Sequence, residues 1–190
     1  MHEFNLIIST GREFESQAEC EAWFNLMAIG DPTPILFKSP FQGLILGHSS
    51  IPPRKLVHYL RDIINTKNAD YIQFIQKVIP IDVVTVTEIP VIRTAVQDLI
   101  LCTPICHDPS TKFRITVRKR NSPITPEELI SQIAPLISHP VDLKGYDWNL
   151  QFEIFGNQTG IAILRKEDVF KPISERQKLL FEKERAEITF

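Results

Sequence analysis

The chain has 190 residues, which is enough for one large domain or two small ones. Its 21 lysines and arginines stand against 23 aspartates and glutamates, so the net charge of −2 argues against a protein that binds nucleic acid through a generally basic surface. No apolar run approaches the roughly 18 to 20 residues of a membrane span, and the first residues lack the features of a secretory signal. We therefore expect a cytoplasmic protein.

The first part of the chain, residues 1–87, predicts an N-terminal ferredoxin-like domain. Its predicted elements are a strand at 4–9, a helix at 14–28, strands at 35–38 and 44–48, a helix at 54–65 and a β-rich segment at 72–86. This β-α-β-β-α-β order is the split βαβ arrangement. In the first helix we expect an apolar face of Phe14, Ala18, Ala22 and the segment from Phe24 to Leu26.

Residues 88–167 predict a second unit that mixes helices and strands. Its predicted elements are a helix at 89–106, a strand at 112–119, a helix from 126 to about 138, and strands at 149–155 and 160–166. Thr125 is the expected N-cap of the second helix, with Pro126 in its first turn. Gly156 and Asn157 predict a hairpin turn between the last two strands.

The predicted strand at 112–119 and the residue that follows it are strongly basic. Apolar Phe113, Ile115 and Val117 alternate with polar Arg114, Thr116 and Arg118, and Lys119 and Arg120 follow. This period is typical of a strand with one face in the core and the other in water. Guanidinium groups match the geometry of phosphate oxygens, which favours a phosphate-binding face. The alternative is a solvated face, whose arginines pair with a neighbouring strand through Glu153 or Gln151.

The last segment, residues 168–190, predicts a charged helical tail. Leu179, Leu180 and Phe181 form its only large apolar cluster. We expect this cluster to dock on a domain while the end of the helix frays.

The cysteines and carboxylates predict neither a metal site nor an active site. Cys102, Cys106 and His107 form a C-x3-C-H cluster, but no second pair of ligands lies nearby in the sequence. An odd, sparse set of three cysteines argues against disulfides. Asp142 and Asp147 flank a turn and are expected to accept backbone hydrogen bonds. We therefore expect a non-enzyme with no cofactor and no metal.

From Phe113 onwards the sequence resembles the THUMP domain, an RNA-binding module of tRNA-modifying proteins. The matching pieces are the basic strand 113–120, the helix 125–137, the Val-Asp-Leu-Lys turn 141–144, and the strands 150–154 and 160–163. The resemblance implies an α+β fold in which a ferredoxin-like domain precedes the THUMP module and a C-terminal helix follows. Within the family the chain is most similar to stand-alone members that assist 4-acetylcytidine formation, because catalytic relatives continue into a further domain.

The resemblance implies a non-catalytic tRNA-binding protein. It would hold the acceptor stem and 3′ end, and would present the tRNA to a separate modifying enzyme such as an RNA cytidine acetyltransferase. The predicted RNA-binding residues are Lys112, Arg114, Arg118, Lys119, Arg120, Lys144, Arg165 and Lys166, with Tyr146 and Trp148 as candidates for base stacking. Two alternatives stay open at this point: a protein-interaction or scaffold module, and a pair of small-ligand regulatory domains.

Overall fold

The computed structural model describes residues 3–66 and 71–177. The predicted apolar cluster at Leu179 to Phe181 lies outside these residues. The described residues form two compact units, of which the first contains residues 3–66, 71–80 and 168–177 and the second contains residues 81–167. Each unit has its own four-stranded sheet and its own hydrophobic core. The fold is therefore a mixture of α and β, as the sequence predicted.

The first unit has the predicted order of strands and helices. Its elements are β1 (Leu6–Ser9), α1 (Glu15–Ala28), β2 (Ile35–Lys38), β3 (Leu44–His48), α2 (Arg54–Thr66) and β4 (Lys77–Pro80). The strands lie in the order β2-β3-β1-β4, and every neighbouring pair is antiparallel. The core lies between this sheet and the two helices, where Leu6, Ile45 and Leu60 are fully buried.

The second unit carries the basic strand in its sheet. Its elements are β5 (Val83–Val86), α3 (Ile89–Cys102), β6 (Phe113–Arg120), α4 (Pro126–Ile133), β7 (Trp148–Phe155) and β8 (Gln158–Leu164). The strand order is β5-β8-β7-β6, with β6 and β7 parallel and the other pairs antiparallel. The predicted helix start is confirmed, because Thr125 and Glu128 form a capping box. The predicted hairpin turn at Gly156 and Asn157 is also present between β7 and β8.

The β-rich segment predicted at 72–86 is two strands in two different sheets. β4 ends at Pro80 and pairs with β1, whereas β5 pairs with β8. Proline has no N–H for a ladder, and it is tolerated here because β4 is the last strand of its sheet. The chain therefore changes sheet between Pro80 and Val83, which is earlier than the expected boundary after residue 87.

The segment that follows β8 returns to the first unit. Phe170 is fully buried in the first core, and its backbone exchanges hydrogen bonds of 3.0 and 3.1 Å with Val78 of β4. Residues 172–177 are helical, and Glu175 lies 3.3 Å from the Nε atom of Arg61 on α2. The described part of the predicted tail thus packs on the first unit, with Phe170 in its core.

Helix α1 faces the core with different residues from those expected. Ala18, Ala22 and Leu26 are fully buried, whereas Phe14 and Phe24 are 48% and 67% exposed. Small residues at every fourth position let the helix lie close to its sheet, and this close approach leaves the bulky aromatic side chains outside. The prediction that Phe14 and Phe24 belong to the core was therefore wrong.

None of the helices in the described ranges is long and apolar enough to cross a membrane.

Candidate nucleic-acid interface

The predicted RNA-binding strand, β6, lies at the edge of the second sheet beside β7. Its residues Phe113, Ile115 and Val117 pack in the core beneath α3 and α4. The alternate residues face the other side of the sheet. In the parallel register, Arg114, Thr116, Arg118 and Arg120 stand opposite Asn149, Gln151, Glu153 and Phe155. The predicted alternation is confirmed, and it places the three arginines in one row on one face of the sheet.

Arg114 is held in place by neutral groups. Its Nε atom donates a 3.1 Å hydrogen bond to Oδ1 of Asn149, and its Cζ atom lies 3.9 Å from the centre of the Tyr146 ring. The Nζ atom of Lys166 lies 4.8 Å from the same ring centre. Within the described part of the chain, Arg114 forms no ion pair with a carboxylate. Its guanidinium is therefore oriented without being neutralised.

A buried chain of polar side chains runs along β7 beneath the arginine row. Asn149 accepts hydrogen bonds from Arg114 and Thr116 and donates one of 3.1 Å to Gln151, which in turn donates one of 2.6 Å to Glu153. All three β7 side chains are at most 4% exposed. Because each amide donates towards the next residue, the chain ends at the Glu153 carboxylate, which only accepts.

Glu153 pairs with two arginines to very different degrees. Its Oε2 atom lies 3.1 Å from Nη1 of Arg120, whose side chain is only 26% exposed. Its Oε1 atom lies 4.0 Å from Nε of Arg118, whose side chain is 54% exposed. The alternative considered from the sequence, in which the arginines pair within the sheet, therefore holds for Arg120. Arg118 keeps most of its surface in water.

The remaining predicted cations lie around the ends of the strands. Lys112 precedes β6, and its Nζ atom lies 3.3 Å from Oδ2 of Asp142. Lys119 donates to the carbonyl oxygen of Ser122 at 3.2 Å, while Lys144 and Lys166 are exposed. Arg165 is also exposed, with Nη1 4.0 Å from Oε1 of Glu167. Lys166 is the member of this set that shares the Tyr146 ring with Arg114.

The turn before β7 is built around two carboxylates, as predicted. Asp142 accepts hydrogen bonds from the N–H groups of Gly145 and Lys144 at 2.7 and 3.0 Å, and these bonds hold its pKa below the ordinary value. Asp147 accepts a 2.7 Å bond from the N–H of Lys112. A side chain at position 145 would collide with Asp142, whose Oδ2 would lie 2.8 Å from an added Cβ atom. The turn therefore fixes Tyr146 beside the start of β6.

Trp148 is a core residue, which corrects the expectation that it stacks on a base. Its ring is fully buried and stacks on Phe113, with ring centres 5.1 Å apart, and its Nε1 atom donates to Thr111. An indole in this position has no free face for a nucleotide. Tyr146 is half-buried, and its ring already carries the Arg114 guanidinium.

The cysteine cluster does not assemble. Cys102 is exposed on α3 and Cys106 is buried, while Nε2 of His107 contacts the carbonyl oxygen of Leu101 at 2.9 Å. Burial raises the pKa of the Cys106 thiol to about 11, which disfavours the thiolate that a metal would need. No group of three metal-binding side chains occurs among the described residues.

The protein thus has two units of mixed α and β structure, and the second sheet carries a cationic face that is only partly paired with carboxylates. Residues 90–164 match the THUMP domain family, which supports assigning this segment to that RNA-binding family. No curated protein sequence matches the chain.

Solved structures provide a comparison of the fold. PH1313 from Pyrococcus horikoshii is similar with a TM-score of 0.65 and 16% identity, over 86% of this chain and 55% of that one. TrmN from Thermus thermophilus is similar with a TM-score of 0.56 and 13% identity, over 83% and 44%. The chain thus spans about half the length of these two proteins, and at such identities the likeness concerns the fold alone.

Proposed function

We propose that the protein is a non-catalytic tRNA-binding adaptor whose second unit grips RNA through Arg114 and Arg118. The observation that carries this proposal is the position of the Arg114 guanidinium, which is oriented by Asn149 and Tyr146 but has no carboxylate partner among the described residues. The match of residues 90–164 to the THUMP domain supports RNA as the ligand.

The arginine row suits a phosphate backbone better than it suits base edges. Guanidinium groups bind phosphate oxygens through charge-assisted hydrogen bonds, which fix the position of the RNA but carry no sequence information. Lys166 extends the cationic surface beside Tyr146, and the exposed Lys144 lies two positions before this tyrosine in the chain. Lys112 is paired with Asp142. Selectivity would then come from the shape of the acceptor stem and its single-stranded 3′ end, since such ends are what many RNA-binding modules select.

The non-catalytic part of the proposal agrees with the pKa directions of three aspartates. Asp108 and Asp142 have pKa values lowered by hydrogen bonds within their turns. Burial would raise the pKa of Asp31, but hydrogen bonds from Ser49 and Ser50 lower it. Groups held as anions in this way are poorly suited to proton transfer near neutral pH. We propose that the chemistry belongs to a separate enzyme, an RNA cytidine acetyltransferase.

We also propose that the first unit is ferredoxin-like, supported by its antiparallel β2-β3-β1-β4 order.

The test is an electrophoretic binding assay with bulk tRNA, intact and lacking the terminal CCA. The wild-type protein is expected to bind intact tRNA more tightly than the shortened form. A triple Arg114→Ala, Arg118→Ala, Arg120→Ala variant is expected to lose most of the binding. The matched control is Lys55→Ala, which removes an exposed cation from α2 of the first unit.

Equal binding by the wild type and the triple variant would overturn the assignment of the RNA surface. Equal binding of the two tRNA forms would overturn the 3′-end part alone. The adaptor part is tested by adding the purified protein to an RNA cytidine acetyltransferase and tRNA. Acetylation that does not depend on the added protein would contradict that part.

A further inference from the structure

Helix α1 carries a second apolar stripe on its outer side. Its inner stripe, Ala18, Ala22 and Leu26, packs in the core. Cys20, Trp23, Phe24 and Met27 occupy the spacing i, i+3, i+4 and i+7 on the other side, and all four are exposed. This spacing is that of a seam between two helices. The helix therefore has two apolar faces, of which the described chain covers one.

The outer stripe borders an open groove between α1 and β2. The groove is lined by Glu19, Cys20 and Trp23 from the helix and by Pro34, Ile35 and Leu36 from the strand and its approach. Ile35 is 58% exposed, and the rings of Trp23 and Phe24 contact each other edge to face at 5.2 Å. Several large apolar side chains exposed together are typical of a protein-binding surface.

The charges along this helix select the partner. Glu15, Glu19 and Glu21 are its only charged residues, and it has no lysine or arginine. Glu19 and Glu21 flank the outer stripe on opposite sides, as charged residues flank a coiled-coil seam. Glu19 has no hydrogen bond or ion pair with the described residues, whereas Glu21 accepts the N–H groups of Gln73, Phe74 and Ile75. Lys38 of β2 donates to Ser16 at the Glu15 end of the groove, so the unbalanced negative charge lies at Glu19 and Glu21. This part of the surface repels a phosphate backbone and attracts a cation.

We propose that the outer face of α1, with the groove beside β2, is a docking site for a basic amphipathic helix of a partner protein. Apolar residues of the partner would lie against Trp23, Phe24 and Met27, and flanking lysines or arginines would face Glu19 and Glu21. RNA is the less favourable occupant, because carboxylates border the aromatic rings. This inference does not depend on the proposed RNA-binding role of the second unit.

The test uses two fluorescently labelled three-heptad peptides with the same leucine seam, one with lysine and one with glutamate at the flanking positions. Fluorescence anisotropy with the full chain is expected to show saturable binding of the lysine peptide and at least about ten-fold weaker binding of the glutamate peptide. Phe24→Ser is expected to weaken binding of the lysine peptide about thirty-fold, as for a central aromatic anchor. Leu143→Ser is the matched control, because Leu143 is 70% exposed on the second unit.

A charge exchange sharpens the test. Glu19→Lys is expected to weaken binding of the lysine peptide and to strengthen binding of the glutamate peptide. Similar binding of the two peptides, or unchanged binding by Phe24→Ser, would overturn the proposal. Two further results would overturn the proposal. If a short single-stranded RNA competed with the lysine peptide and Phe24→Ser abolished this competition, the face would be assigned to RNA. If the protein sedimented as a dimer and Phe24→Ser converted it to a monomer, the face would be assigned to a second copy of the chain.

Discussion

The Nη1 atom of Arg120 lies 3.1 Å from Oε2 of Glu153, a carboxylate that is only 1% exposed. Arg118 stands on the same face of the strand but reaches Glu153 only at 4.0 Å. A buried carboxylate needs a close cation, and Arg120 supplies it. The row of arginines predicted from the sequence is therefore divided between a structural member, Arg120, and members available to a ligand.

This division predicts unequal effects of single substitutions. Arg114→Ala and Arg118→Ala are each expected to weaken tRNA binding about ten-fold or more, since a charge-assisted hydrogen bond contributes about 1.5 to 3 kcal/mol. Arg120→Ala is expected to change binding little but to lower the free energy of unfolding. Filter binding and thermal unfolding of the three variants provide the measurement. The opposite order, with Arg120 the most important for binding, would contradict the division.

Glu153 itself is expected to limit RNA affinity while stabilising the fold. Glu153→Gln removes a negative charge beside the arginines, so tRNA binding is expected to tighten about five-fold, as one screened charge interaction contributes about 1 kcal/mol. The same change is expected to cost about 1 to 3 kcal/mol of stability because a buried ionic hydrogen bond is weakened. The control is Glu127→Gln on the exposed side of α4. Equal tightening by both variants would indicate a net-charge effect with no role for position 153.

The segment after β8 is expected to be essential to the first unit. Phe170 is fully buried in that core, so Phe170→Ala is expected to lower the free energy of unfolding by about 3 to 5 kcal/mol. Denaturant unfolding followed by hydrogen exchange would locate the loss in β1, β3 and β4. A matched substitution at an exposed apolar position, Ile173→Ala, is expected to have little effect. Similar losses for the two variants would show that Phe170 is not a core anchor.

Low pH is expected to weaken the hydrogen bonds that join Asp31 to Ser49 and Ser50. Burial alone would raise the pKa of this carboxyl, but hydrogen bonds from the hydroxyls of Ser49 and Ser50, at 2.6 and 2.7 Å, lower it below its usual value of 3.8. A group whose pKa is lower in the folded state stabilises the fold at pH values above its unfolded pKa. That contribution is lost as the pH falls through the lower folded value. Asp31→Asn should therefore flatten the loss of stability as the pH falls through the unfolded and then the lower folded pKa of this carboxyl. Parallel acid-unfolding curves for the two proteins would contradict this.

The cysteines are expected to react at different rates. Cys20 and Cys102 are exposed, whereas Cys106 is buried with its pKa raised to about 11. A thiol reagent at pH 8 is expected to modify two cysteines rapidly and the third only after unfolding. Zinc is expected to leave these rates unchanged. Protection of Cys102 by zinc would contradict the expectation that this cysteine cluster binds no metal.

Local patterns predicted the second unit well because its signals depend on few residues. The alternation of β6, the N-cap at Thr125 and the hairpin at Gly156 each follow from short-range chemistry. The change of sheet at Pro80 was missed, since a run of β-forming residues does not reveal which sheet each part joins.

Long-range packing accounts for the other errors. The burial of Trp148 follows from its stacking on Phe113, which lies 35 positions away in the chain and beside it in the sheet. The outward position of Phe24 follows from the close packing of Ala18 and Ala22. The hydrogen bonds from Arg114 and Thr116 to Asn149 could not be predicted from the sequence, because an asparagine in a strand has no pattern that identifies its partners.

The salt dependence of tRNA binding tests the central claim most directly. Each phosphate contact contributes about 0.7 to 0.9 to the slope of log affinity against log salt concentration. The slope is expected to fall by about 1.5 in an Arg114→Ala, Arg118→Ala double variant and to stay unchanged in Arg120→Ala. Identical slopes for the wild type and the double variant would show that these two arginines do not contact the phosphate backbone.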